Sequence, residues 1–304
     1  MVDGDEALFE LLAELKSRDY RFTCVTPATH ERVLARGFDR APTLRDIFGW
    51  SRAFSVDEIE PKILRLLEEA GCVDRSGERL RSKVRVASLE DQLFLHSAFP
   101  TSEADAVFFG PDTYRFVRFV LGTSGDLHSP KRIVDLGSGS GVGGIAAAAR
   151  LRPQRVTLLD INPAAARLAA VNARFAGIDA EVELSGELPS GCDLVIANPP
   201  YMMDKSKRVY RDGGGMLGGE VALRWASQCL EALESRGTLL LYAGAVFVEG
   251  KSPLVDAIAD LCASAAADLN VEEIDLDVFG EELDDPGYRD VERIAALGMS
   301  IRKA

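Results

Sequence analysis

The sequence predicts an α/β protein, with a seven-stranded parallel sheet covered by helices on both faces and a smaller, mainly helical domain in front of it. Three observations carry this. From Arg132 onward, short apolar runs alternate with segments of helical period, the pattern of βαβ units. Before residue 70 the apolar residues recur at helical spacing instead. Between the two regions, Ser97–Asp105 carries Pro100 and several small or polar residues and reads as a linker. The expected division is therefore an N-terminal domain at residues 1–105 and a second domain at 106–304.

In chain order, helical spacing runs from Ala7 through Ala13 to Leu15 and recurs over Glu31–Ala35, Thr43–Phe48 and Val56–Ala70. Pro61 suits the start of the last of these helices, and Gly71 its stop. Arg79-Leu80-Arg81 and Lys83-Val84-Arg85-Val86 alternate basic with apolar residues around Gly77 and predict a strand pair. Helices followed by such a hairpin suggest a winged-helix-like module. The basic residues Arg75, Arg79, Arg81, Lys83 and Arg85 are read as a solvated strand face, with a phosphate backbone or an acidic partner as the alternative. The second domain then gives strand Arg132–Asp135, helix Val142–Arg150, strand Val156–Asp160, helix Pro163–Phe175, and strands Ala180–Leu184 and Cys192–Ala197. Helix Val221–Leu233 leads to strand Thr238–Tyr242. Helix Leu254–Ala267 leads to two final strands near Val271–Val278 and Ile294–Ile301. The acidic stretch Glu272–Asp285, broken by apolar residues at strand spacing, reads as a solvated edge.

Composition bounds the function. A chain of 304 residues can bury a substantial core, and 47% hydrophobic with 27% charged residues is ordinary for a globular protein. No run approaches the ~18 apolar residues of a membrane span. The opening Met1-Val2-Asp3-Gly4-Asp5-Glu6 is acidic where a secretory signal is basic, so the expected location is the cytoplasm. Cys24, Cys72, Cys192, Cys229 and Cys262 lack CxxC spacing and are read as buried, reduced thiols. His30, His96 and His128 have no ligand-like spacing with them, so no metal is expected. A net charge of −13 argues against a broad nucleic-acid surface and leaves at most a local basic patch.

Two segments carry the chemistry. The strand closing on Val134-Asp135-Leu136 opens into Gly137-Ser138-Gly139-Ser140-Gly141, a turn whose glycines let the backbone pass close to a ligand, while the next helix presents free amides and a positive dipole end. That favours a nucleotide-like ligand. A dinucleotide-binding turn would space its glycines G-x-G-x-x-G; here Gly137, Gly139 and Gly141 alternate. Asp160 closes the second strand, where a carboxylate can accept both hydroxyls of a ribose, which supports an adenosine-type ligand without choosing among them. About sixty residues beyond the turn, the apolar strand Leu194-Val195-Ile196-Ala197 closes on Asn198-Pro199-Pro200-Tyr201. The Asn198 side-chain oxygen and the Pro199 carbonyl can each accept a hydrogen bond from an NH₂ group, and the two prolines fix the backbone that carries them. Tyr201 can stack on a planar group. The basic loop Lys205–Arg211, with the glycines Gly213-Gly214-Gly215 after it as a flexible hinge, reads either as a substrate lid or as a mobile solvated loop.

The spacing D-x-G-x-G-x-G at Asp135–Gly141 resembles motif I of the Rossmann-like class I S-adenosylmethionine-dependent methyltransferases. Asn198-Pro199-Pro200-Tyr201 resembles the N/D-P-P-Y/F/W motif of those that methylate adenine N6 or the glutamine side-chain amide. The resemblance covers roughly residues 105–304. It implies S-adenosyl-L-methionine as cofactor, with Asp135 at its methionine amino end, Gly137, Gly139 and Gly141 forming the turn around it, Asp160 on the ribose, Glu187 near the adenine amino group, and Asn198 between cofactor and acceptor. It implies Asn198, Pro199 and Tyr201 as the catalytic set. Val107-Phe108-Phe109-Gly110-Pro111-Asp112-Thr113 is similar to the segment preceding the first strand in protein glutamine N5-methyltransferases of release factors. Gly110 and Asp112 replace the usual Arg and Glu there, so small-domain methyltransferases of ribosomal RNA are nearly as similar.

The expected activity is thus N-methylation of a side-chain amide or amino group, most concretely a glutamine of a translation factor. A protein substrate is favoured. RNA, methylated at adenine N6, and a small amine, amide or amino acid are the alternative acceptors. A cofactor-binding protein without turnover is the reading from another class.

Overall fold

The computed structural model describes residues 3–101, 103–123, 130–204, 208 and 210–304. The chain forms two compact units that are not two consecutive stretches. The first comprises Met1–Tyr114, Gly139–Val142 and Pro163–Asp179, and the second comprises Arg115–Ser138, Gly143–Asn162 and Ala180–Ala304.

In the first unit, helices α1 (Asp3–Ser17), α2 (Pro27–Leu34), α3 (Leu44–Phe48) and α4 (Pro61–Glu69) precede hairpins β1–β2 (Val73–Ser76 and Arg79–Ser82) and β3–β4 (Val84–Leu89 and Gln92–Ser97). Helix α1 is amphipathic, and Leu8, Leu11, Leu12 and Leu15 are wholly buried on its apolar stripe. Thr43 and Asp46 form a reciprocal capping box on α3. The pattern expected as one helix over Val56–Ala70 is divided: a single 3₁₀ turn at Val56–Glu58, then α4 with Pro61 as its first residue. Proline disfavours helical backbone in the residue before it, and Glu60 is extended accordingly. Gly71 ends α4 with φ +68°.

The strand pair expected from residues 79–81 and 83–86 is instead two hairpins. Arg79–Ser82 pairs backward with Val73–Ser76, and Val84–Leu89 pairs forward with Gln92–Ser97. The basic side chains do form a solvated face at Arg75, Arg79, Arg81 and Lys83, all exposed, but not at Arg85. Arg75 pairs with Glu68, Arg79 with Glu58 at 2.8 Å and Lys83 with Asp74 at 3.3 Å. Arg85 is buried at 4% exposure, donating from Nε to the Gly49 carbonyl at 2.9 Å. Helix α7 (Pro163–Phe175) completes this unit, with Arg167 paired to Asp5 at 2.6 Å and Arg174 to Glu6 at 2.8 Å.

The second unit is a seven-stranded sheet of β5 (Arg132–Leu136), β6 (Arg155–Asp160), β7 (Glu181–Leu184), β8 (Cys192–Ala197), β9 (Leu233–Phe247), β10 (Ala267–Asp275) and β11 (Arg293–Lys303), in the order β10-β11-β9-β8-β5-β6-β7. Helices α6 (Val142–Leu151), α8 (Glu220–Ala232) and α9 (Pro253–Ser264) run between its strands, and α5 (Pro111–Thr123) precedes β5. The expected parallel arrangement holds for β5 to β9. It fails at β11, which inserts antiparallel between β9 and β10. β8 and the middle of β9 are apolar on both faces, as strands covered on both sides must be. β10 is the exposed acidic edge. All five cysteines are buried free thiols, and no helix among the described residues is long and apolar enough to cross a membrane.

Candidate active site

Sheet register sets the site. Leu136 on β5 pairs with Leu159 on β6 and with Ala197 on β8, so Gly137, Asp160 and Asn198 each follow at the same level on the carboxyl edge. Ligands of open α/β sheets bind at that edge.

Asp135, 2% exposed, turns inward from β5, and the Gly144 N–H donates to its Oδ2 at 2.7 Å. Burial pushes the Asp135 carboxyl up to about 7, against the lowering bond from Gly144 and with a further push from the charge of Asp160. The side chain therefore closes the turn onto the start of α6. Gly137, Gly139 and Gly141 have φ of +68°, +55° and +79°. Gly137 is the position with least latitude, since a Cβ there would lie 2.4 Å from the Trp225 ring. The Ser138 N–H ties the turn to β6 through the Leu159 carbonyl at 2.9 Å.

Asp160 closes β6, its Oδ1 accepting from the Asn162 N–H at 2.9 Å. Ile161, beside it, is 59% exposed, which is unusual for a residue of its size. Glu187 is exposed beyond β7 and lines an open pocket of about 360 Å³ with Gly186, Leu188, Ser190, Gln228 and Glu231.

At the end of β8, Asn198 Oδ1 is sealed from solvent with no hydrogen-bond donor among the described residues. A buried acceptor in that state costs about 1–3 kcal/mol. Pro199 is buried behind it. The Tyr201 ring lies on the β9 backbone at Gly244, where a Cβ would come within 2.6 Å of it. Its centroid is 6.5 Å from that of Tyr242 and 6.0 Å from that of Phe279. Trp225, Ile161, Tyr242 and Phe279 are the neighbours that sequence reasoning missed. Only Ile161, directly after Asp160, had a positional signal.

The glycines after the basic loop are not a hinge. Gly213 N–H donates to the Met202 carbonyl at 2.8 Å, and a Cβ on Gly213 would lie 1.9 Å from the Gly218 carbonyl oxygen and 2.7 Å from Tyr201 Cα. Gly213 is glycine so that two backbones can touch, whereas a Cβ on Gly214 or Gly215 would meet the Glu220 carboxylate, at 2.7 and 3.0 Å. Met203 N–H donates to Tyr288 Oη at 2.8 Å, fastening the same segment again. Lys205, Ser206, Lys207 and Val209 of the expected lid lie outside the described residues. Its arginines point inward: Arg208 binds Asp204 at 2.6 Å, and Arg211 pairs with Glu282. Asp204 is held down to about 2, chiefly by Arg208.

A buried carboxyl beneath a glycine turn, an acid at the end of the strand on one side and a sealed amide oxygen at the end of the strand on the other stand together on the carboxyl edge of the sheet. Residues 121–244, less than half of the chain, match the family model of the methyltransferase small domain, in keeping with the fold of the class I S-adenosylmethionine-dependent methyltransferases. Among its relatives, a release factor glutamine methyltransferase of Deinococcus radiodurans is 29% identical over 129 residues, 41% of this chain and 46% of the relative. A tRNA1(Val) (adenine(37)-N6)-methyltransferase of Flavobacteriaceae bacterium strain 3519-10 is 33% identical over 89 residues, 27% of this chain and 38% of the relative. The chain thus spans less than half the length of the curated relatives it matches. Among solved structures, Trm5b from Pyrococcus abyssi superposes with a TM-score of 0.52 at 14% identity, covering 81% of this chain and 68% of that one, a likeness of fold. S-adenosylmethionine is the cofactor this family implies, and the left-handed glycine turn, Asp160 and the sealed Asn198 oxygen fit it.

Proposed function

We propose that this protein is an S-adenosylmethionine-dependent N-methyltransferase acting on a side-chain amide or amino group, most concretely a glutamine N5 of a translation factor. The observation that carries the proposal is the Asn198 oxygen, a buried acceptor without a protein donor at the end of β8. An NH₂ group of a substrate satisfies it. In this reading Asp135 orders the turn at the methionine end, Gly137, Gly139 and Gly141 admit the cofactor, Asp160 accepts the ribose hydroxyls and Glu187 stands near the adenine. When bound, S-adenosylmethionine supplies an electrophilic methyl group on a sulfonium. Asn198 Oδ1 and the Pro199 carbonyl accept the two N–H bonds of the acceptor, hold its lone pair toward the methyl and offset the positive charge that grows on nitrogen. Tyr201, seated on β9, gives the planar group a face to stack on. One proton leaves the nitrogen to solvent, and no metal takes part.

Relatives that modify a protein amide and an RNA adenine match this chain with similar identity, so adenine N6 of RNA is the second reading. Charge supports protein. Arg75, Arg79, Lys83, Arg208 and Arg211 are paired within the chain and Arg85 is buried, in a molecule of net charge −13. Phosphate neutralisation would need such groups free. The test is transfer of a radiolabelled methyl group from S-adenosylmethionine into a lysate separated into protein, RNA and small molecules, with Asn198→Ala as control. Label in a protein band supports the glutamine reading. Label in RNA or in small molecules replaces it, and no label above the variant in any fraction leaves a cofactor binder without turnover.

A further inference from the structure

Asn172 is the one polar residue in the buried face of α7, among Ala165, Leu168, Ala169, Val171 and Ala173, and it is 0% exposed. Burying an amide there is costly unless its hydrogen bonds are made. They are. Leu95 N–H donates to Asn172 Oδ1 at 2.9 Å, while Nδ2 donates to the Leu95 carbonyl at 3.0 Å and to the Ser140 carbonyl at 2.9 Å. One side chain thus satisfies both backbone groups of a residue in β4 and, with its remaining N–H, fixes the carbonyl between Gly139 and Gly141. All three partners belong to the first unit.

The flanking glycines give this turn access to many backbone conformations, and one bond to its central carbonyl removes most of them. We propose that Asn172 is a positioning residue for the cofactor turn: it holds Ser140, and with it the Gly139–Gly141 backbone, in the ligand-receiving conformation, and makes that conformation depend on hairpin β3–β4. This rests on the reading that the turn binds S-adenosylmethionine. Coupling between two sites is reciprocal, so a ligand that orders the turn also steadies β4 at Leu95.

The test is calorimetric titration of the full chain with S-adenosylhomocysteine, using wild type, Asn172→Asp and, as control, Leu66→Ala, a buried residue of the same unit with no part in the clamp. Asn172→Asp keeps an acceptor for the Leu95 N–H but sets an acceptor against two carbonyls. It is expected to bind at least about tenfold more weakly, since two donated hydrogen bonds are lost and each is replaced by an acceptor facing a carbonyl, together exceeding about 1.4 kcal/mol. In turnover it raises KM for S-adenosylmethionine and leaves kcat unchanged. Leu66→Ala, although less stable, keeps wild-type affinity. Wild-type affinity in Asn172→Asp, or a loss no greater than that of Leu66→Ala, overturns the proposal. Failure of the wild type to bind overturns the cofactor reading instead. Should Asn172→Asp not fold, hydrogen exchange on the wild type decides: S-adenosylhomocysteine slows exchange of the Leu95 N–H if the clamp is real, and unchanged exchange there refutes it.

Discussion

Asp135→Asn separates what the turn costs from what it does. The Asp135 carboxyl is buried, accepts one hydrogen bond and titrates near pH 7 instead of near its ordinary 3.8. Its folded pKa is raised, so between those values the folded chain holds a proton that the unfolded chain has lost. Stability therefore falls as pH rises from about 4 to about 7, and then levels. At about 1.4 kcal/mol per pH unit, the ionised carboxylate costs the ligand-free protein roughly 4 kcal/mol at pH 8 and under 2 kcal/mol at pH 5. Asparagine keeps an oxygen for the Gly144 N–H but carries no charge. In urea unfolding without cofactor, the stability of Asp135→Asn relative to wild type should rise by about 2–3 kcal/mol from pH 5 to pH 8, groups common to both proteins cancelling. A difference that does not change with pH would refute the assignment of this cost to Asp135. The same substitution should weaken binding of S-adenosylmethionine, because an ionised Asp135 is what the cationic ligand favours.

Three further outcomes follow from the geometry. Asn198→Ala should abolish methyl transfer while leaving the Kd for S-adenosylhomocysteine nearly unchanged; a large loss of cofactor affinity would sink its role toward the acceptor. Asp160→Ala should do the reverse, weakening cofactor binding first, and should lower the pH at which the Asp135 cost levels off, because Asp160 contributes to the raised folded pKa; calorimetry and pH-dependent unfolding check the two parts. Gly213→Ala forces a methyl against the Gly218 carbonyl and should destabilise by about 2–3 kcal/mol in thermal or urea unfolding. If RNA is the acceptor, activity should fall steeply between 50 and 200 mM salt, whereas an amide acceptor on a protein predicts a shallow dependence.

The sheet was legible because its code is local. β5, β6 and β8 are largely apolar runs bounded by turn residues, β7 alternates Glu181-Val182-Glu183-Leu184 at period two, and the helices among them have their own period, so no long-range information was needed to place them. β9 was half legible: the expectation stopped at Tyr242, whereas the strand runs to Phe247 through Gly244. Its length comes from ten residues of antiparallel pairing with β11, a tertiary fact that no local window carries. The N-terminal hairpins failed for a related reason. Basic and apolar residues alternate from Arg79 to Val86 with only Ser82 out of pattern, across the end of one hairpin and the start of the next. The turn between β3 and β4 is Glu90-Asp91, with Glu90 at φ +50°, and carries none of the Asn-Gly or Gly signals that announce such turns. Arg85 shows the same limit in chemistry: at a strand position that reads as solvated it is buried, cation over the Phe22 ring at 5.4 Å.

The site divides along the same line. Asp135, the alternating glycines, Asp160 and Asn198 follow directly from strand ends, and sheet register alone brings three of those ends to one level, which is why motif spacing sufficed to find them. What fixes them comes from elsewhere in the chain: Trp225 over Gly137, the β9 backbone under Tyr201, Tyr288 on Met203. The glycines at 213–215 mark the difference most clearly. In sequence, a glycine run after a basic loop is indistinguishable from a hinge, since both need residues without side chains. In the fold Gly213 is excluded from carrying a Cβ by the Gly218 and Tyr201 backbones, while Gly214 and Gly215 lie against the Glu220 carboxylate, so that segment is packed against the Asn-Pro-Pro-Tyr turn. In the proposed site, an acceptor amine meets an Asn198 oxygen already buried without a donor among the described residues, and the cost of holding that oxygen unsatisfied and Asp135 buried is carried by the ligand-free protein before any substrate arrives.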